Sequence, residues 1–121
     1  TTVSSAIGFI RSGAAPAIGV GTAAPTPLLP EVPPIARAAP GFAAGTWHGV
    51  LAPAGTPAPV IAAANAAFNA VLALPEVRGR LETAQGAEVV GGPPAAFGDF
   101  VAAEIAKWGP VVRAAGIRAD A

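Results

Sequence analysis

The sequence predicts an α/β fold in which helices pack on a mixed sheet. Residues 46–52 and 87–90 are short apolar runs that suit strands, and a third such run covers residues 16–22 between prolines. Helical patterns separate the later runs, because apolar residues recur every three or four positions after residue 56 and again after residue 94. Alternation of strand and helix is typical of helices layered on a sheet.

The composition limits the size, the partners and the compartment of the protein. The chain has 121 residues, the length of one ordinary domain, and its 7 basic residues balance its 7 acidic ones. A net charge of zero provides no basic face for phosphate backbones, so nucleic acid is not an expected partner. Cysteine is absent, which excludes disulfides and thiolate metal sites and fits either the periplasm or the cytosol. No apolar run long enough to span a membrane is free of Pro and Gly.

A short helix is expected at the start of the chain. Ser4 or Ser5 suits its N-cap, and Ser12 followed by Gly13 suits its end. Three aliphatic residues share one face of this helix: Val3, Ile7 and Ile10. We therefore expect a helix of about two turns that buries that face.

The next segment is predicted to be a strand followed by extended, proline-rich chain. Residues 19–24 formally match a dinucleotide-binding fingerprint, but Pro25 and Pro27 prevent the helix that such a site requires. Residues 25–40 are expected to be extended, with one short helical turn around residues 34–38. The alternative is a polyproline ligand for another domain. Leu28 and Leu29 favour the structural interpretation, because they are expected to be buried.

Three further helical segments are predicted. Thr56 and Pro57 start a long helix, since a hydroxyl cap and a proline in the first turn are strong start signals. A second segment runs from Pro75 to about residue 84 and ends before Gly86. The last helix starts at residue 94 and is expected to be interrupted at residues 109–110, the pair Gly-Pro.

The sequence contains almost no groups of residues at the spacing of a catalytic or metal site. There is one histidine, His48, and no acid or second histidine lies at a ligand spacing beside it. No nucleophile elbow surrounds Ser4 or Ser5. We therefore predict that the protein is not an enzyme and that it has neither a metal site nor a cofactor.

Several stretches together resemble a known family. They are LLPEVP at residues 28–33, PGF at 40–42, TWHGVLAPAGTP at 46–57, LPEVRGRL at 74–81, GAE at 86–88 and AGI at 115–117, with Asn65, Asn69, Glu104, Lys107 and Trp108 between them. Their order and spacing are similar to the C-terminal part of Bug-type receptors, the extracytoplasmic solute-binding proteins of tripartite tricarboxylate transporters. The chain departs from the family pattern at Arg37, where an acid is usual, and at Pro110, where a lysine is common.

The resemblance implies the C-terminal portion of a type II-like periplasmic-binding-protein fold with two lobes. Residues 1–44 would then be a remnant of the second lobe. Residues 45–121 would contain a crossover strand and the C-terminal part of the first lobe. Strands without their family neighbours leave open sheet edges, so self-association through those edges is expected.

The resemblance also implies the function. We expect a receptor, or part of one, that captures a small carboxylate in the periplasm and delivers it to membrane transporter subunits. The expected ligand-binding residues are Ser4 and Ser5 at a helix start facing the cleft, and Thr46 and Trp47 at the crossover. The alternative is a truncated interaction or dimerisation module with no solute site.

Overall fold

The chain is mainly helical and contains no β-sheet among the residues that the structure describes. The structure is a computed structural model, and it describes residues 2–118. Helix accounts for 50% of the described residues and strand for 3%. The predicted α/β fold, with helices packed on a mixed sheet, is therefore wrong. The elements are α1 (Val3–Arg11), a 3₁₀ turn (Ile35–Arg37), α2 (Ala58–Leu72), α3 (Pro75–Arg80), a π-helical turn (Leu81–Gln85) and α4 (Pro94–Ala114).

The predicted strand at residues 16–22 forms a single isolated β-bridge. Val20 pairs in parallel with Pro34, because the Val20 amide donates to the Pro33 carbonyl at 3.0 Å and the Ile35 amide donates to the Val20 carbonyl at 2.9 Å. Pro33 has no N–H group to extend the ladder on one side of Ile35, and on the other side the Arg37 amide donates to the Pro34 carbonyl within the 3₁₀ turn. One residue of pairing is the result.

The other two predicted strands also lack a sheet partner within residues 2–118. Residues 46–52 are irregular and exposed, with Leu51 at 77% exposure. Residues 87–90 are irregular as well, and the Arg78 guanidinium, at 3.4 Å, donates to the Val89 carbonyl. A strand is stable only when another strand satisfies its backbone, so an apolar run alone does not produce one. Self-association through open sheet edges therefore has no structural basis in the described part of the chain.

The chain divides into two compact units. One unit comprises Thr1–Val50 and Ala70–Val90, and the other comprises Leu51–Asn69 and Gly91–Ala121. The predicted lobe assignment, residues 1–44 against 45–121, stays a prediction, and its outer ends at residues 1 and 119–121 lie outside the described residues.

The first unit has a small core that two proline-containing turns create. The Leu29 amide donates to the Thr26 carbonyl at 3.0 Å, and the Val32 amide donates to the Leu29 carbonyl at 3.1 Å. A proline follows the first residue of each turn, where its fixed φ favours turn formation. The turns bring Leu29 and Val32 together with Val20, and all three are buried. The predicted apolar face of α1 packs against them, through Val3, Ile7 and Ile10.

In the second unit, two asparagines of α2 hold the glycine turn that precedes α4. The Gly92 amide donates to Asn69 Oδ1 at 2.7 Å, and the Gly92 carbonyl accepts from Asn65 Nδ2 at 2.9 Å and Asn69 Nδ2 at 3.1 Å. Asn69 Nδ2 also lies 2.9 Å from the Asn65 carbonyl. Gly92 has φ +103°, a conformation that residues with a Cβ rarely adopt. The asparagine pair therefore fixes a turn that the backbone alone specifies poorly.

Replacing Asn69 by alanine is expected to lower the free energy of unfolding. Losing the bonds to Gly92 costs about 1–2 kcal/mol, and the better helix propensity of alanine returns about 0.5 kcal/mol, for a net loss of about 1 kcal/mol. Urea unfolding followed by far-UV circular dichroism measures this loss. Asn65→Ala is the matched control, because it gains the same propensity and loses only one bond to Gly92. Equal stability of the Asn69 variant and the wild type would contradict the role of Asn69 in fixing the turn at Gly92.

Helix α4 runs through the position where an interruption was predicted. It continues past Gly109 and Pro110 to Ala114. A proline within a helix removes one N–H donor and leaves the hydrogen bonds on either side available, so a helix of 21 residues can retain its other bonds. The predicted interruption at residues 109–110 is wrong.

Within residues 2–118, no single helix combines the length and the apolar character needed to cross a membrane. Helix α2 together with residues 75–84 meets both criteria as a pair, with a sharp bend between the two parts.

Candidate functional site

The first turn of α1 gathers three hydroxyl groups. Thr2 is the N-cap, and its Oγ1 accepts from the Ser5 amide at 3.4 Å. The same oxygen lies 3.1 Å from Ser4 Oγ and 3.0 Å from Ser5 Oγ. Ser5 Oγ also donates to the Thr2 carbonyl at 2.9 Å. Two of the four predicted site residues therefore share one hydrogen-bonded cluster, which we call the α1 hydroxyl cluster (Thr2, Ser4 and Ser5).

Sequence reasoning placed the cap at the wrong residue. Ser4 and Ser5 were the predicted N-caps, but both lie inside the helix, and Thr2 caps it. The overlooked signal is the residue type, because threonine is also a favoured N-cap and Thr2 precedes both serines; its Oγ1 accepts from the Ser5 amide, three residues later. The correction adds Thr2 to the candidate site.

The α1 hydroxyl cluster has the chemistry of a weak anion site. The first amides of a helix have no acceptor inside the helix, and the helix dipole places partial positive charge at this end. No acidic residue lies in the first turn, and the one basic residue, Arg11, lies in the last. Ser4 is half-buried, whereas Thr2 and Ser5 are exposed to solvent. Hydroxyl and amide donors together suit a carboxylate oxygen.

The other two predicted residues lie on a different segment of the same compact unit. Thr46 and Trp47 belong to the irregular stretch that follows residue 43, and both are exposed, Trp47 by 44%. The crossover strand on which they were expected to lie is absent there. Their assignment to a solute site stays a prediction.

An open depression in the proline-rich segment was not predicted from the sequence. It encloses about 430 Å³, and its walls include Glu31 and Arg37. The remaining lining residues are alanines and prolines: Ala23, Pro25, Pro30, Pro33, Pro34 and Ala36. Opposite charges in the same depression cancel, so it offers a carboxylate one cation and one repelling anion. The signal available in the sequence was the pair of charges among prolines that otherwise lack polar groups.

The acidic side chains and the histidine are not grouped as metal ligands in the described part of the chain. Over residues 2–118, no three or more His, Asp or Glu side chains lie close enough together to hold a metal ion. His48 is exposed in the irregular stretch after residue 43.

Comparison with known proteins decides the family. Residues 1–117 match the sequence profile described as "Tripartite tricarboxylate transporter family receptor". The chain belongs to this receptor family. The family resemblance predicted from the sequence is therefore confirmed, and members of the receptor family are extracytoplasmic.

Three relatives illustrate the similarity. The chain is 39% identical over 106 residues to the UPF0065 protein in the clcB-clcD intergenic region of Pseudomonas knackmussii, an alignment that covers 86% of this chain and 62% of that protein. It is 43% identical over 94 residues to the UPF0065 protein in the tcbD-tcbE intergenic region of Pseudomonas sp., covering 76% of this chain and 28% of that protein. It is 34% identical over 110 residues to Protein BugT of Bordetella pertussis, an alignment that covers 90% of this chain and 33% of that protein. The chain thus spans less than two thirds of each of these relatives.

Proposed function

We propose that this chain is part of a solute receptor that captures a small carboxylate outside the cytoplasm and delivers it to a tripartite tricarboxylate transporter. The observation that carries the proposal is the family match over residues 1–117. The description of the family includes a transporter of tricarboxylates, so a carboxylate is the solute class with the strongest support. The partners would be the membrane subunits of that transporter.

The proposed contact point for the carboxylate is the α1 hydroxyl cluster. Its hydroxyl groups lie within 3.1 Å of Thr2 Oγ1, at the positive end of a helix whose first turn contains no acid. Thr46 and Trp47 are proposed as additional contacts on the same compact unit. A hydroxyl group contributes a directional donor to a carboxylate, and an exposed indole contributes an apolar surface and one N–H donor.

The test is a titration of the 121-residue chain with defined carboxylates. Citrate, succinate, benzoate and glutamate are first screened by thermal shift, and the acid with the largest shift is then titrated by calorimetry. We expect at least one acid to raise the midpoint of unfolding, because a ligand that binds only the folded state stabilises it. No stabilisation by any of these acids would contradict the proposal and favour the interaction module without a solute site.

Replacing Ser4 by alanine is expected to weaken the binding of that acid by at least about tenfold, because a hydrogen bond to a charged group is worth about 1.5–3 kcal/mol and each 1.4 kcal/mol is a factor of ten. Calorimetry measures the change in Kd. Ser12→Ala is the matched control, since Ser12 lies at the other end of α1 and its Oγ donates to the Phe9 carbonyl at 3.1 Å. We expect the control to keep the wild-type affinity.

A further variant separates the two candidate contact regions. Arg37→Gln removes the cation of the proline-rich depression and leaves the α1 hydroxyl cluster intact. We expect its affinity for the acid to match that of the wild type. A large loss with Arg37→Gln and none with Ser4→Ala would place the solute in the depression and overturn the assignment to the cluster.

A further inference from the structure

One short segment of the chain builds the proline-rich depression. All of its described lining residues lie between Ala23 and Arg37, and five of the 15 residues in that range are prolines, whose rings fix φ. Hydrogen-bonded turns at residues 26–29, 29–32 and 34–37 hold the backbone of the segment. The shape of the depression is therefore set within the segment itself.

The depression collects the only charged side chains of a long stretch of sequence. Glu31 and Arg37 are the only Asp, Glu, Lys or Arg residues between positions 12 and 75. Both line the depression, and the rest of its described lining is alanine and proline. One negative and one positive group thus stand on a surface that is otherwise apolar.

Neither of these charges is paired within the described part of the chain. The ion pairs among residues 2–118 are Arg78–Glu82 and Glu104–Lys107, so Glu31 and Arg37 form no ion pair with each other. Both residues are exposed, so their charged groups are accessible to a ligand in the depression. The depression therefore presents one anion and one cation at the same time.

We propose that the proline-rich depression binds an α-amino acid with an apolar side chain. The Arg37 guanidinium donates to the ligand's carboxylate, because its planar donors match two carboxylate oxygens. The ligand's ammonium donates to the Glu31 carboxylate. The apolar side chain of the ligand lies against the prolines and alanines, which removes apolar surface from water. The volume, about 430 Å³, lies in the range of small-molecule pockets.

The two charges favour a zwitterion over a ligand with one charge. A simple carboxylate gains the attraction of Arg37 and meets the repulsion of Glu31, and a simple amine meets the reverse. An α-amino acid satisfies both groups at once. Because both residues are exposed, water weakens each contact, so we expect a Kd in the millimolar range. This ligand class goes beyond the carboxylate proposed for the α1 hydroxyl cluster.

The proposal is tested by ¹H–¹⁵N correlation spectra of the 121-residue chain during titration with L-leucine. We expect saturable shifts of the amides of residues 31 and 35–37. Two ligands of matched shape are titrated in the same way: 4-methylpentanoate lacks the ammonium, and 3-methylbutylamine lacks the carboxylate. Each should bind at least about tenfold more weakly than leucine, because one hydrogen bond between charged groups is lost.

Two outcomes of these titrations would overturn the proposal. One is the absence of saturable shifts in residues 31–37 up to the solubility limit of leucine. The other is equal affinity for leucine and 4-methylpentanoate, which would mean a simple anion site at Arg37. Citrate, succinate and benzoate contain no ammonium, so their titrations test the α1 hydroxyl cluster separately, and either proposal can fail alone.

Variants of the two charged residues test the assigned contacts. Glu31→Gln and Arg37→Gln each remove one charge, and each should weaken the binding of leucine about tenfold. Arg11→Gln is the matched control, because it removes an exposed cation of α1, in the same compact unit and outside the depression. We expect the control to keep the wild-type affinity, and circular dichroism checks that all three variants keep their helix content.

The Glu31 variant also gives a readout that a purely structural role would not produce. Without the repulsion of the Glu31 carboxylate, 4-methylpentanoate should bind more tightly to Glu31→Gln than to the wild type, while leucine binds more weakly. Loss of affinity for both ligands in this variant, or wild-type affinity for leucine in both depression variants, would overturn the proposed contacts.

Discussion

Replacing Leu29 by alanine is expected to lower the free energy of unfolding by about 3 kcal/mol. Leu29 is 4% exposed and packs with Val20 and Val32, the other two buried hydrophobic residues among those described. Removing its side chain deletes buried apolar surface and leaves a cavity at the centre of this small core. Urea unfolding followed by far-UV circular dichroism measures the effect.

Leu51→Ala is the matched control for this prediction. It removes the same atoms from a side chain that is 77% exposed, so its stability should lie within about 0.5 kcal/mol of the wild type. If the two variants lose equal stability, the small core around Leu29 does not hold the first unit together.

Replacing Gly21 by alanine is the second large effect that we expect, a loss of about 2–3 kcal/mol. A Cβ at position 21 would collide with the carbonyl oxygen of Ala44. The two backbone segments are fixed to each other, since the Ala44 amide donates to the Gly21 carbonyl at 2.8 Å. The collision involves backbone atoms, so no side-chain rotation relieves it. Thermal and urea unfolding both measure the loss.

Replacing Gly8 by alanine should instead raise the free energy of unfolding. Gly8 lies within α1, and a Cβ there meets no atom within 4 Å. Alanine is a better helix former than glycine by about 1 kcal/mol, so this variant should be more stable than the wild type. A stabilising Gly21 substitution, or a destabilising Gly8 substitution, would contradict the backbone arrangement described above.

The helices were predictable because their signals are local. Pro57 directly precedes α2, Pro75 starts α3, and Gly86, with φ +62°, ends the π-helical turn. The predicted cap at Thr56 is wrong, because α2 begins at Ala58 and the Thr56 hydroxyl donates to the Pro53 carbonyl at 2.8 Å. The two prolines and Gly86 act on their immediate neighbours through fixed φ, missing donors or left-handed conformation. The apolar face of α1 was predictable for the same reason, since Val3, Ile7 and Ile10 share it by spacing alone.

The sheet was not predictable, because strand formation depends on a partner elsewhere in the chain. The run around Val20 finds one residue of pairing and then meets the prolines at 33 and 34. The runs at residues 46–52 and 87–90 have the composition of strands but no sheet partner in the described part of the chain. The periodicity of apolar residues indicates which faces of a strand or helix are apolar. It does not indicate whether a neighbouring strand exists to satisfy the hydrogen bonds of the backbone.

The candidate site was only partly predictable. Ser4 and Ser5 could be found because they sit near a helix start, but the role of Thr2 depends on where that helix begins. The depression that contains Glu31 and Arg37 depends on how the proline-rich segment turns, which the sequence alone does not specify. Asn65 and Asn69 belong to the family resemblance, whereas their bonds to Gly92 appear only in the structure.

The most direct test of the proposed function is a ¹H–¹⁵N correlation spectrum of the 121-residue chain during titration with citrate. We predict saturable shifts concentrated in the amides of residues 2–6, where the α1 hydroxyl cluster and the start of the helix lie. Shifts of the Trp47 backbone and indole signals should accompany them. Unchanged amides in residues 2–6 at saturating citrate, or shifts confined to residues 31–37, would contradict the assignment of the carboxylate to this cluster.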